Sequence, residues 1–62
     1  MENYLIGNFK TGNVVYYRRN KDQRMIIERI DKNRNEIICG WIDEKGKVLS
    51  RTFKPLELGN VS

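Results

Sequence analysis

The stretch Glu36–Gly46, EIICGWIDEKG, decides how this chain is read. Its first part is short, almost wholly apolar and rich in isoleucine, and its second part is polar and ends on glycine. A run of this length and β-branched content forms a strand, and Asp-Glu-Lys-Gly after it supplies the turn. Side chains on a strand alternate between two faces. Ile37, Cys39 and Trp41 therefore share one face, and Ile38, Gly40 and Ile42 share the other. The face with Trp41 holds the larger side chains and is assigned to the core, which makes this segment the central strand of the domain.

Working outward, the same pattern repeats. Apolar runs occupy Asn13–Arg18 (NVVYYR), Arg24–Ile30 (RMIIERI), Lys47–Phe53 (KVLSRTF) and Pro55–Leu58 (PLEL). Polar segments, Arg19–Gln23, Asp31–Asn35 and Asp43–Gly46, separate them and read as hairpin loops. The expected fold is all-β, with about five short antiparallel strands in a small barrel or strongly bent sheet; closure would hide the sheet edges. Val15, Tyr17, Met25, Ile27 and Phe53 join the core. Val14, Tyr16, Ile26, Ile38 and Ile42 point outward, where the N-terminal Tyr4–Ile6 could cover part of them. Uncovered, they form an apolar patch of the kind that marks an interface.

At 62 residues the chain has room for one domain, and a domain of this size buries only about 60% of its unfolded surface. One cysteine excludes an internal disulfide, and one cysteine without any histidine excludes a zinc site of ordinary ligand number within the chain. Oligomerisation is the remaining means of adding buried surface. The lone cysteine and an N-terminus unlike a signal peptide lead to the expectation of a cytoplasmic protein, with no membrane partner. Twelve Lys and Arg against eight Asp and Glu give a net charge of +4, which favours anionic partners, nucleic acid among them.

Few residues suggest chemistry. A cysteine nucleophile needs a depressed pKa and a base, and the chain has no histidine. Cys39 reads instead as a small buried residue packed beside Trp41. Asp43 and Glu44 read as turn formers; work by paired carboxylates needs a cleft that so small a barrel seldom has. Gly12 reads as a turn residue before the first strand, and Pro55 as the end of the fourth, followed by a turn or a single helical turn. No glycine-rich phosphate loop is present. The segment Tyr16–Arg24 is the strongest binding signal, because arginines and an aromatic ring side by side suit phosphates and bases. Arg18, Arg19, Lys21 and Arg24, with Tyr16 and Arg51, are the candidate contacts to an anionic partner. Val14, Ile26, Ile38 and Ile42 are the candidate interface to a protein partner or a second copy. A non-enzymatic binding module without metal or cofactor is the expected function.

Four motifs carry a resemblance: Phe9–Val15 (F-x-x-G-N-V-V), Arg24–Ile27 (RMII), Cys39–Asp43 (CGWID) and Phe53–Leu58 (FKPLEL). Together they resemble the YodC family of small uncharacterised bacterial proteins, also found on phages and mobile elements. The match runs over residues 9–58, leaving 1–8 as an extension and 59–62 as a tail. That family's Ser-Gly-Gly-Pro turn is absent, and Asn20–Gln23 stands in its place. The resemblance implies an SH3-like barrel and brings no settled function. It suggests an alternative role, a self-associating adaptor or inhibitor borne on a phage or mobile element. Such a protein would act on a host defence system or its nucleotide signal through the outer apolar face.

Overall fold

A computed structural model describes residues 6–61. Five strands, β1 (Val14–Tyr17), β2 (Asn20–Asp31), β3 (Glu36–Ile42), β4 (Val48–Phe53) and β5 (Leu58–Asn60), form one antiparallel sheet in the order β4-β3-β2-β1-β5. The fold is all-β, as its sequence pattern predicts; a single 3-10 turn, Pro55–Glu57, stands between β4 and β5.

Two of the hairpin turns are held by aspartates. Asp31 Oδ1 accepts from the amides of Asn33 and Arg34 at 3.1 and 3.2 Å, and Asn35 then adopts φ 55° to bring the chain back as β3. Asp43 Oδ1 accepts from the amides of Lys45 and Lys47 at 2.9 and 2.8 Å, and Gly46 takes φ 82°, a left-handed conformation that costs glycine no steric clash. The first hairpin departs from expectation. Arg19–Gln23 reads as a loop, yet β2 begins at Asn20, opposite Tyr17, and only Arg18 and Arg19 make the tip. The polar residues Lys21–Gln23 slip out of register between the pairs Tyr16↔Arg24 and Tyr17↔Asn20. They need no core to pack on, so they run as an irregular extension of the strand.

β2, not β3, is the central strand. It is 12 residues long and pairs with β1 over its first half and with β3 over its second. A second irregularity, after the slip at Lys21–Gln23, interrupts it. The register with β3 shifts between Ile27 and Arg29, so Glu28 is an extra residue that bulges outward.

The inner face carries the core: Val15, Met25, Ile27, Ile37, Cys39, Phe53 and Leu58 are all nearly or wholly buried. Tyr17, Ile30 and Trp41 pack partly buried against it. Trp41, placed in the core by alternation, packs against it but, next to the last residue of β3, keeps some exposure. Ile6 and Phe9 are buried in the same cluster. Ile6 therefore belongs to the folded unit rather than to an extension over the outer face; Tyr4 and Leu5 lie outside the described residues. At the other end the unit runs past residue 58, since β5 reaches Asn60.

The sheet curls. Three strand spacings of about 4.8 Å separate β1 from β4 in a flat sheet. Yet the Tyr17 and Phe53 rings lie 5.5 Å apart, centroid to centroid, tilted by 51°. Side chains thus close the interior where backbone does not: among the described residues no ladder joins β4 to β5. The barrel is open, and the two edges are the short β5 and a β4 of six residues.

Candidate interaction surface

The convex outer face of the curled sheet is the largest departure from an ordinary polar exterior. Along one cross-strand row, Val14 pairs with Ile26, Ile26 with Gly40 and Gly40 with Ser50. Val61 extends that row, its amide donating to the Val14 carbonyl at 3.1 Å. In the next row Ile42 pairs with Val48. Ile26 is 53% exposed, Ile42 68% and Val48 69%, so these side chains stand in solvent. Tyr16 and Ile38 are half-buried on the same face.

Glycine and glutamate shape the middle of this face. The Glu28 carboxylate lies flat across Gly40, where any Cβ would collide with it, and accepts a hydrogen bond from the Ser50 hydroxyl at 3.1 Å. Tyr16 does the same to Gly59, its ring lying where a Cβ would be. Beside Gly40 is a shallow, mainly apolar hollow of about 340 Å³, lined by Val14, Arg24, Ile26, Gly40 and Ile42 together with Met25 and Trp41.

Of the interface candidates read from sequence, Val14, Ile26, Ile38 and Ile42 share this face. Val48 and Val61 belong with them and were missed. The alternation of KVLSRTF places Val48 outward with Ser50 and Thr52, so that signal was present. Nothing in the apolar pattern of Pro55–Leu58 foretold a strand reaching Asn60 with Val61 just beyond it. Strand alternation sets Glu28 on the face of Ile26, but nothing in the sequence shows that its carboxylate lies across Gly40 on the neighbouring strand.

The basic candidates do not gather into one patch. The Arg18 Nε donates to the Leu58 carbonyl at 2.9 Å, and the Arg18 amide donates to the Glu57 carbonyl at 2.9 Å, so this residue fastens β5 to β1. Arg51 turns to the inner face and lies 5.3 Å from the centre of the Phe53 ring. Arg19 and Lys21 are exposed at the first hairpin. Arg24, opposite Tyr16, belongs to the outer face. The described ion pairs engage Arg34 with Asp31 and Lys54 with Glu36.

An open cleft of about 670 Å³ lies between the start of β2 and the β3–β4 turn, with Trp41 on its wall and Asp22, Arg24, Asp43, Glu44 and Lys45 around it. It is a depression open to solvent rather than an enclosed cavity, and Ile42 of the outer face also lines it. Its acid Asp43 is occupied by the turn amides it caps. Cys39 is buried on the inner face. Burial, and secondarily the charge of Glu28, push its thiol up from 9.0 to about 11, the opposite of what a nucleophile requires.

These features define a small all-β protein with a curled, open sheet and an exposed apolar outer face. No family model, curated protein or solved structure matches the chain. No helix of the described residues is long and apolar enough to cross a membrane.

Proposed function

We propose that this protein is a non-enzymatic binding module whose working surface is the outer face of its sheet. The observation that carries this reading is the continuous row Val61–Val14–Ile26–Gly40 with Ile42 and Val48 beside it. Exposed isoleucines and valines placed side by side lose hydration free energy until something covers them, at about 25 cal/mol per Å². The protonated, buried Cys39 and the capped Asp43 support a role without covalent or acid–base chemistry. A cytoplasmic setting suits a free, reduced thiol.

The test is amide mapping. Isotope-labelled protein is added to clarified extract of its host, and broadening is followed residue by residue. Broadening centred on Val14, Ile26, Ile38, Ile42 and Val48 is the expected result; broadening centred on the first hairpin or on Asp43–Lys45 of the β3–β4 turn overturns the reading.

A second reading, an anionic partner such as nucleic acid, draws on the net charge of +4 and on Arg19 and Lys21 exposed at the hairpin tip. Phosphate contacts of this kind weaken steeply with salt. A gel shift on generic RNA and DNA at low ionic strength tests it, and an absence of any shift removes it. An inhibitor borne on a mobile element, as the YodC resemblance suggests, would use the outer face and falls under the first reading.

A further inference from the structure

We infer that the free edge of β4 receives an extended segment of an acidic partner polypeptide, which joins the sheet as an antiparallel strand. The site is made of backbone and basic side chains, so it lies beyond the apolar face and stands or falls apart from that reading.

The hairpin between β3 and β4 fixes which backbone groups point outward. The Asp43 amide donates to the Lys47 carbonyl at 2.9 Å, and the Asp43 carbonyl accepts from the Gly46 amide at 3.0 Å. Asp43 and Lys47 thus face each other as a hydrogen-bonded pair. Bonded and non-bonded pairs alternate along an antiparallel ladder, and the register with β3 runs unbroken from Val48 to Phe53. Leu49, Arg51 and Phe53 therefore turn their N–H and C=O groups to β3. Val48, Ser50 and Thr52 turn theirs to the edge, where none has a partner among the described residues. The other edge, β5, has only three residues, whereas β4 offers a longer row with neither a bulge nor a proline in it.

Charge selects the occupant. From Lys47 to Lys54 the chain carries three bases, Lys47, Arg51 and Lys54, and no acid. The acids nearby are engaged or set apart. Glu36 pairs with Lys54 at 3.8 Å, the Glu28 carboxylate lies back across Gly40, Asp43 caps its turn, and Glu44 belongs to that turn. Lys47 and Arg51 are exposed and enter no ion pair among the described residues. Bases along an edge repel a second copy of that edge and attract carboxylates.

The alternation of side chains specifies the segment. Lys47, Leu49 and Arg51 share the inner side of the edge, and Val48 and Ser50 the outer side. An antiparallel segment opposite Lys47–Arg51 sets an acid against Arg51, an apolar residue against Leu49 and an acid against Lys47. Its second and fourth residues exchange ladder bonds with Ser50 and Val48. The sequence Glu-Thr-Leu-Val-Glu meets each of these demands, and this register keeps clear of the Phe53 end, where the Tyr17 ring closes the interior.

The test titrates the capped peptide Glu-Thr-Leu-Val-Glu into isotope-labelled protein to about 5 mM, since an addition this short binds weakly. Near saturation the Val48 and Ser50 amides should exchange about tenfold more slowly, and slow at least about threefold more than those of Leu49 and Arg51, which β3 already holds. Slowing spread evenly along β4, or shifts centred elsewhere, overturns the inference. The peptide with both acids replaced by lysine should bind about tenfold more weakly or worse. Lys47→Glu, confirmed folded by circular dichroism, should weaken the acidic peptide by about threefold or more, and Glu-Thr-Leu-Val-Lys should recover that loss. A folded variant without loss or recovery overturns the pairing, as does an absence of binding at the highest peptide concentration. Protection of Val48 and Ser50 in the free protein would place a segment of the chain itself on the edge, and protection that rises with protein concentration alone would place a second copy there; either result also overturns the inference. None of these outcomes alters what amide mapping in host extract says of the outer face.

Discussion

Replacing Phe53 by leucine tests whether side chains close the curled sheet in place of backbone. Phe53 is buried, pairs with Ile37, contacts the Tyr17 ring at 5.5 Å and lies under the Arg51 guanidinium at 5.3 Å. Leucine keeps much of the bulk but loses the ring pair, worth about 0.5–1.5 kcal/mol, and the cation–π contact, worth about 0.5–1 kcal/mol at a site open to water. The change in shape adds about 1 kcal/mol, for a total near 2–3 kcal/mol. A domain of 62 residues has roughly 3–9 kcal/mol in all, so the variant folds but has little margin. Urea unfolding followed by Trp41 fluorescence reads the change directly. With an m-value of about 1 kcal/mol/M, the midpoint should fall by about 2–3 M. A double-mutant cycle with Tyr17→Leu should return a coupling of about 0.5–1.5 kcal/mol between the two positions. A midpoint shift under about 0.5 M, or a coupling indistinguishable from zero, would refute the claim that these rings bind β1 to β4.

Three further outcomes follow from named contacts. The folded Cys39 thiol holds its proton to about pH 11, whereas the ordinary thiol releases it near 9.0, so the unfolded chain binds fewer protons between those values. Stability should therefore fall from pH 9 to 11 by up to roughly 2–3 kcal/mol, and Cys39→Ala should remove that part of the slope in denaturant titrations at each pH. Gly59→Ala should destabilise by about 1–3 kcal/mol, because a Cβ there displaces the rigid Tyr16 ring; Gly40→Ala should cost under about 1 kcal/mol, because only the flexible end of Glu28 must move. Thermal unfolding of the two variants side by side checks the order. Arg18→Ala should cost about 1–3 kcal/mol by leaving the Leu58 carbonyl unpartnered, and Arg18→Leu, which keeps the apolar stem, should not recover it.

How much of this was legible in the sequence depends on what each feature obeys. The alternation in β3 obeys strand geometry, so the inward Ile37 and Cys39 and the outward Ile38 and Ile42 could be read directly. The turns at Asp31 and Asp43 obey local hydrogen bonding, and their Asp-Lys and Asp-Glu-Lys-Gly signals were equally clear. The role of Arg18 was not legible, since its partner Leu58 is 40 residues away and nothing local distinguishes it from Arg19. Arg51 reads in sequence as a contact to an anionic partner; alternation puts it on the inner face with Phe53, where its exposed guanidinium lies over a core ring. The bulge at Glu28 adds one residue to one strand, which no periodicity anticipates, and it turns Ile30 inward onto the core, where unbroken alternation from Ile26 puts it outward.

The position of β5 has a kinetic meaning. β1 to β4 are joined by successive hairpins, each closed over a short span, and such pairings form on a microsecond timescale. β5 is different: it lies against β1 through pairs such as Val15↔Asn60, 45 residues apart along the chain. Closing so long a loop around only three residues of strand costs entropy before any ladder bond rewards it. The four-strand meander can therefore assemble first, with β5 docking late and the Arg18 clasp completing it. The same order in reverse makes the C-terminal strand the first part to open under native conditions. Hydrogen exchange should then rank its amides well below those of β2 and β3 in protection.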